Sequence, residues 1–299
     1  MVSYMSIRSQ IQSNIARSYL FMAVFIALVV GIAYVFGNAY GYGDSFVGFA
    51  ILFSVLSSVI SLYFGDAIVL AMSGARPAQR DTDFDFYTVA ENVSMAAGLP
   101  VPKLYVIEDM AMNAFATGRD PKHAVVCVTS GLLKKLDRRE IEGVVAHEMS
   151  HVKNYDIRLM AIVAVLVGTI AYASDLFIRN LWWRDRDSDR KDGGIFMIIG
   201  IVLAIISPLI ASLIQLAISR KREYLADATA ALTTRYPEGL ARALEKISKE
   251  SVGMKKATNA TAHLFISNPF KNKKSNAWFV GLFDTHPPIT ERIKILRSM

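Results

Sequence analysis

Cysteine and charge are both scarce in this sequence. One cysteine, Cys127, occurs among 299 residues, and charged residues make up 20% of the chain. A single cysteine cannot build the closed, cysteine-rich sites that usually hold structural zinc. Cys127 lies in the apolar run 124–128, which predicts a buried strand, and a lone cysteine in such a strand is structural far more often than reactive.

Internal repeats, low-complexity tracts and aromatic residues interleaved with basic ones are also absent from the sequence. The formal net charge is +7, but the positive residues are scattered beside apolar runs and in the segment 271–274. This distribution favours the flanks of membrane helices over a nucleic-acid surface. We therefore expect a lipid bilayer, and no nucleic acid, among the partners.

Apolar residues are abundant, at 53% of the chain with a mean hydropathy of +0.33. Four runs, 18–36, 46–64, 159–178 and 195–218, are each close to the roughly 20 residues that cross a bilayer as a helix. They predict about four transmembrane helices. The first run resembles a signal peptide, but it is long, lacks a clear small-residue cleavage site and is followed by a second run, which favours a retained anchor.

Lysine and arginine predict the orientation, because short flanking segments rich in them stay in the cytoplasm. The loop 38–45 has neither, whereas 76–158 and the region after Arg220 are rich in both. The bulk of the chain is therefore expected to face the cytoplasm. The charged segment 182–191 would then lie outside, so runs three and four are alternatively a re-entrant or peripheral hairpin.

The stretch 137–156 contains the sequence His-Glu-Met-Ser-His at 147–151. Asp137 and Glu140 have the spacing of a capping box, and the apolar residues that follow have helical spacing. On a helix, His147 and His151 lie one turn apart, roughly 6 Å along the axis, with Glu148 beside them. This is the H-E-x-x-H arrangement of zinc hydrolases.

A catalytic zinc ion needs a neutral nitrogen from each histidine, a third protein ligand and an open position for water. Glu148 would be the general base. Two histidines at this spacing also occur as a solvated pair on a polar helix face. Asp156 either braces this helix or is a polar residue near the membrane boundary.

A second helical run, 220–227, places Glu223 and Asp227 on one face. Such an acidic pair can be solvated, but like charges four residues apart are mildly destabilising. A metal site explains both acids: Glu223 would be the third ligand, and Asp227 would accept the free N–H of one ligand histidine.

Short segments of strand composition, 103–107, 113–117 and 124–129, precede the H-E-x-x-H helix and predict a small sheet packed on it. A helix is expected at 86–97, a polar loop at 73–85 and a polar, mobile stretch at 251–277. His123 and His263 have no partner pattern and are expected on the surface.

Taken together, these motifs resemble the M48 family of integral-membrane zinc metalloproteases, most closely its bacterial HtpX-type members. The resemblance rests on 113–115, 147–151, 223–227 and 285–292 and covers nearly the whole chain. It implies that His147, His151 and Glu223 bind one zinc ion and that Glu148 activates water. It also implies that an edge strand at Asn113 and Ala114 pairs with the substrate backbone.

His286 and Arg292 are similar to the family's C-terminal pair near the metal, with Arg292 expected to contact substrate. His286 would stabilise the oxyanion, or it is a surface histidine that caps a helix beginning at Pro287. The resemblance further implies cleavage of misfolded membrane proteins in quality control and stress response, at the cell inner membrane.

The expected fold is therefore an α+β membrane protein with a mainly helical, zincin-like cytosolic domain. The expected regions are 1–65 with two transmembrane helices, 66–158 with the H-E-x-x-H helix, 159–218 with two further spans or a hairpin, and 219–299 with the third ligand. Both ligand helices are expected to lead straight into the third and fourth runs, which places the metal roughly 12 Å and 8 Å from them and just above the cytoplasmic membrane surface.

The rival hypothesis is a non-catalytic membrane adaptor or channel with a structural metal site. Such a staple has no need of the acid Glu148, whereas a peptidase depends on it. The variant Glu148→Gln separates the two, since a staple would keep both its metal and its function.

Overall fold

The computed structural model describes residues 7–40, 43–184, 220–258, 260–270 and 287–299. The fourth apolar run and His286 lie outside these residues. Side chains of the first two helices are described except near their outer ends.

The chain begins with two long helices, α1 (Ile7–Tyr40) and α2 (Gly43–Ser73). Within them, Ser9–Tyr34 and Ser45–Ser73 are long and apolar enough to cross a membrane. On α2 the large apolar residues Phe49 and Leu52 are exposed, whereas the small polar residues Ser54 and Ser58 are buried. This distribution suits a helix with lipid outside and protein inside, and it agrees with the first two predicted spans.

After these two helices, short strands are interspersed with helices as far as residue 129, and the rest of the described chain is mainly helical. In chain order they are β1 (Ala75–Pro77), α3 (Phe84–Ala97), β2 (Lys103–Ile107), β3 (Ala114–Gly118), a 3₁₀ turn (Pro121–His123), β4 (Ala124–Thr129), α4 (Ser130–Lys135), α5 (Arg138–Lys153), α6 (Asp156–Arg184), α7 (Arg220–Thr234), α8 (Pro237–Lys249), a 3₁₀ turn (Ala262–Leu264) and α9 (Ile289–Leu296). The predicted loop 73–85 thus contains a strand, β1, that the sequence did not indicate.

The four strands form one mixed sheet in the order β1-β2-β4-β3. Strands β2 and β4 are parallel, and the two outer strands pair antiparallel to them. Alternate residues face opposite sides: Val126 packs with α5 and α8 on one side, and Cys127 packs with Phe115 and the end of α2 on the other. Because both faces are covered, β3 and β4 are buried throughout and are mostly apolar.

Cys127 has no exposed surface. Its burial raises the pKa of its thiol, and the nearby negative charge of Glu148 raises it further. The sequence-based expectation of a buried structural cysteine agrees with this position.

The segment 251–270 differs from the predicted polar, mobile stretch. Met254, Phe265 and Ile266 are all buried, and the ring of Phe265 meets that of Phe115 edge-on at 5.2 Å between centroids. His263, predicted on the surface, is also buried, with Nε2 3.2 Å from the carbonyl oxygen of Met160. Met254 lies in a mostly polar segment, and the apolar run 264–266 is too short to show a helical or strand period, so their burial was not visible in the sequence.

Helices α5 and α6 are separated by a sharp bend of 84°. Helix α5 ends at Lys153, Tyr155 adopts a left-handed φ of 60°, and α6 begins at Asp156. The ligand helix therefore does not continue straight into the third apolar run, and the straight-helix estimate of roughly 12 Å is wrong. The start of α6 is instead buried in protein, where Ile162 packs against Phe25 of α1.

Candidate metal centre

The helix α5 is fixed at its start by the predicted capping box. Asp137 Oδ1 accepts from the backbone N–H of Glu140 at 3.0 Å, and Glu140 Oε2 accepts from that of Asp137 at 2.8 Å. Gly143 brings α8 close, because a Cβ there would lie 2.5 Å from the backbone nitrogen of Leu240. These contacts hold α5 between the sheet and α8, and so set the position of its histidines.

His147, His151 and Glu223 converge at one point, with one ligand atom from each within 4.8 Å of the others. The two Nε2 atoms lie 3.3 Å apart. Glu223 Oε2 lies 3.7 Å from Nε2 of His147, and its Oε1 lies 3.5 Å from Nε2 of His151. All three side chains are buried.

A carboxylate contacts Nδ1 of each imidazole, on the side of the ring away from the cluster. His147 Nδ1 lies 3.0 Å from Asp227 Oδ1, and His151 Nδ1 lies 3.1 Å from Asp156 Oδ2. With both Nδ1 atoms donating, the two Nε2 lone pairs face each other, which is repulsive unless a cation lies between them. Carboxylates on the outer nitrogen are the usual partners of metal-bound histidine.

The donor set fits a catalytic zinc ion. Two nitrogens and one carboxylate are a common set of three protein ligands, and nitrogens about 2.0–2.1 Å from a tetrahedral ion lie about 3.3 Å apart. The structure therefore contains a His-His-Glu cluster that could bind a metal ion.

Electrostatics around the cluster also favour a cation. Burial lowers the pKa of His151, but the hydrogen bond that His151 donates to Asp156 and the charges of Glu223, Asp156 and Glu148 outweigh it and raise this pKa to about 9 in the metal-free protein. Burial raises the pKa of Asp227, but the charge and hydrogen bonds of Arg292 more than offset this and lower it. Asp227 is therefore a carboxylate at neutral pH.

Arg292 lies beside the cluster rather than on an open surface. Its side chain has no exposed area, and its Nε and Nη2 donate to Asp227 at 2.8 and 2.7 Å. Its Nη1 lies 3.6 Å from Glu223 Oε2. This placement differs from the predicted substrate contact, because the guanidinium is enclosed by the metal cluster's own carboxylates.

Glu148 is buried on the same helix, between the two histidines in sequence. The structure thus brings together Glu148, His147, His151, Glu223 and Asp227. It also resolves the open alternatives for Asp156, which contacts His151 directly. Asn14 of α1, which sequence reasoning missed, contacts Asp156 in turn, at 2.7 Å. It lies among other polar residues, such as Gln12 and Ser13, just before the first apolar run, so no local pattern distinguishes it.

The predicted substrate edge is at the outside of the sheet but is occupied near its start. The carbonyl of Ala114 accepts from the backbone N–H of Ile266 at 2.9 Å. Asn113 donates through Nδ2 to the carbonyl of Ser267 at 2.9 Å, and its Oδ1 accepts from the N–H of Ser267 at 3.3 Å. The segment 264–267 therefore runs alongside the residues that were expected to hold substrate.

Comparison with known proteins identifies the family. The pattern described as Peptidase family M48 matches residues 78–299. A protein named Protease HtpX homolog from Caldanaerobacter subterraneus subsp. tengcongensis is 45% identical over 291 residues, covering 96% of this chain and 95% of that protein. The one from Dictyoglomus thermophilum is 48% identical over 255 residues, covering 83% and 82%.

A solved structure shares the fold. The crystal structure of S. mikatae Ste24p matches with a TM-score of 0.51 at 18% sequence identity, covering 94% of this chain and 67% of that one. The family match, the relatives of nearly equal length and the two apolar helices agree with one another. The chain therefore belongs to peptidase family M48 and is a membrane metalloprotease.

Proposed function

We propose that this protein is a zinc-dependent endopeptidase that cuts cytosolic or membrane-associated polypeptides in the quality control of membrane proteins under stress. The observation that carries the proposal is the convergence of two imidazole Nε2 atoms and one carboxylate, with both Nδ1 atoms already held by Asp227 and Asp156. A solvated histidine pair would need none of these partners.

His147, His151 and Glu223 would hold one zinc ion. When bound, zinc supplies Lewis acidity, which polarises a carbonyl and lowers the pKa of a water molecule. Glu148 accepts the proton of the water that attacks the scissile carbonyl, and it then gives this proton to the departing amine nitrogen. Asp227 and Asp156 keep each imidazole in the tautomer that presents Nε2.

The outer edge of β3 is the proposed substrate site. An extended peptide pairs with a sheet edge through its backbone, which tolerates many sequences. At Ala114 this pairing requires the segment 264–267 to leave, because Ile266 already uses the carbonyl. Asn113, released from Ser267, would offer its side-chain amide to the same peptide.

The proposed setting is the cell inner membrane, with several spans and the catalytic part in the cytoplasm. Support comes from the lysine- and arginine-rich segments flanking the first two helices and from the packing of the sheet. One face of the sheet contacts Leu70 near the end of α2 and Met160 near the start of α6. A site built on these helix ends lies close to the membrane surface and favours chains that emerge nearby.

The test uses the full-length protein in detergent, loaded with zinc and incubated with an unfolded casein-type substrate. Glu148→Gln keeps the shape of the side chain but cannot take a proton, so cleavage should fall about a hundred- to ten-thousand-fold while zinc stays bound. The matched control is Glu142→Gln, a half-buried glutamate on the same helix, which should cleave normally.

Unchanged cleavage by Glu148→Gln would overturn the proposed mechanism. If the parent protein bound zinc but cleaved nothing and its cellular function survived Glu148→Gln, the metal would be a structural staple in an adaptor or channel.

A further inference from the structure

We infer that Asn14 of the first membrane helix is a positioning residue for the metal centre, acting on His151 through Asp156. The inference rests on the proposed role of His151 as a metal ligand, and it makes α1 part of the active-site frame rather than an anchor alone.

The contacts form a short chain from α1 to the cluster. Asn14 Nδ2 donates to Asp156 Oδ1 at 2.7 Å, and Asp156 Oδ2 lies 3.1 Å from Nδ1 of His151. All three residues are at most 5% exposed. Because each oxygen of Asp156 has its own partner, Asn14 fixes the rotation of the carboxylate that orients the imidazole.

Asn14 also holds the bend between α5 and α6. Its Nδ2 donates to the carbonyl oxygen of Asn154 at 2.8 Å, so one amide bonds to both sides of Tyr155. Tyr155 has a left-handed φ of 60°, which a residue with a side chain rarely adopts without support from its surroundings. The bend determines where α6 starts, and Asp156 is the first residue of α6.

The rotation of α1 is itself determined by packing. Asn14, Ser18, Phe21 and Phe25 are buried at helical spacing along one face. Phe21 packs with Leu159, and Phe25 packs with Ile162. This buried stripe packs α1 against the first turns of α6 and places the amide of Asn14 at the bend.

Arg222 of α7 is the other described donor to Asp156 Oδ1, at 3.5 Å. This contact is longer than the 2.7 Å bond from Asn14 and falls at the limit of a hydrogen bond. Arg222 also forms an ion pair with this carboxylate, so losing Asn14 would leave the charge compensated but remove the short hydrogen bond that fixes its rotation. A buried asparagine that served only to pack helices would affect stability but would not change affinity for a metal.

The experiment compares zinc affinity and kinetics of the full-length protein in detergent. Asn14→Leu is close in size but has no donor. We expect zinc affinity, measured by competition with a chelating dye, to fall about tenfold. This is the low end of the range seen when a residue that hydrogen-bonds to a metal ligand is removed. We expect kcat to fall by a similar factor with KM unchanged, because the peptide site is not touched.

Ser18→Ala is the matched control, since it removes a buried polar group from the same face of α1. Among the residues that the structure describes, the Ser18 hydroxyl bonds only the carbonyl of Asn14 within the helix, at 2.9 Å, so zinc affinity should be unchanged. Asn14→Gln retains the donor and should keep more affinity than Asn14→Leu. Should the leucine variant fail to accumulate, Asn14→Ala makes the same comparison.

A double-mutant cycle with Asp156→Ala distinguishes positioning from stability. If Asn14 acts through Asp156, Asn14→Leu should cost little further affinity once the carboxylate is gone. The inference would be overturned if Asn14→Leu reduced zinc affinity in the Asp156→Ala protein as much as it does in the parent. It would also be overturned if Asn14→Leu alone bound zinc with the affinity of the parent. Absence of zinc binding by the parent protein would instead overturn the proposed function.

Discussion

Asp227 and Arg292 form a two-point ion pair inside the protein, at 2.7 and 2.8 Å, and the same carboxylate reaches Nδ1 of His147 at 3.0 Å. The guanidinium therefore neutralises the acid that contacts the imidazole of His147. This pair joins α9, at the end of the chain, to α7 and α5.

Arg292→Met should leave Asp227 buried without its counter-charge, which typically destabilises a protein by about 3–5 kcal/mol. Zinc affinity should fall as well, because a carboxylate that becomes protonated no longer accepts the N–H of His147. Thermal unfolding and dye competition measure the two effects. Arg297→Met, in an exposed pair with Glu238 and Glu245, is the control and should change neither.

Glu223→Ala should lose zinc and peptidase activity together, because two histidines alone leave the ion under-coordinated. Asp227→Ala should be milder, at about ten- to a hundred-fold in affinity. Equilibrium dialysis with metal analysis measures both, with the exposed Glu108→Ala as control. Normal zinc binding by Glu223→Ala would show that the third ligand is a different residue.

Zinc affinity should depend on pH through His151. In the metal-free protein the pKa of His151 is raised from 6.5 to about 9, so zinc must displace its proton at neutral pH. One displaced proton gives an apparent affinity that rises up to about tenfold per pH unit below that pKa. Dye competition between pH 6 and 8 measures the slope, and a flat profile would contradict the assignment.

The same shift predicts the stability of the chelated protein. The folded pKa of His151 lies above its ordinary value, so its contribution to stability is fully present below about pH 6.5 and is lost as pH rises through about 9. Melting temperatures in EDTA should therefore fall across this window. The zinc-loaded protein, whose His151 carries no such proton, should show a smaller fall.

Ile266→Pro removes the N–H that occupies the carbonyl of Ala114 and should free the β3 edge for substrate. One backbone hydrogen bond is worth about 1 kcal/mol, so KM should fall by about fivefold. Ile266→Val keeps the N–H and is the control. Lower activity in the proline variant than in the valine variant would show that the segment 264–267 supports the substrate instead of competing with it.

A site close to the membrane surface should favour anchored substrates, because tethering raises effective concentration without sequence-specific contact. The reporter is one unstructured cytoplasmic tail, on an intact or a deleted membrane anchor, with a periplasmic tail as control. The anchored cytoplasmic tail should be cut fastest. Equal cutting of the soluble tail, or cutting of the periplasmic one, would mean that the proposed placement is wrong.

Elements specified by neighbouring residues were predictable from the sequence. The capping box at Asp137, the strands Lys103–Ile107 and Ala124–Thr129, and the first two apolar helices all occur where expected. Their signals are periodicity, caps and length, which act within a few residues and need no tertiary contact. For the same reason His147 and His151 share one face of a helix.

Only the tertiary structure decided which distant groups complete the site. Asn14 and Asp156 are 142 residues apart, and Asn113 and Ser267 are 154 apart. Neither contact leaves a local pattern, since an amide can bond any carboxylate or backbone group that the fold brings to it. The bend at Tyr155 likewise has a long-range contact, since Asn14 of α1 donates to the carbonyl oxygen of Asn154. The sequence by itself thus determined the H-E-x-x-H helix and the shared face of its two histidines, whereas long-range packing determined how His151 is held and what lies on the β3 edge.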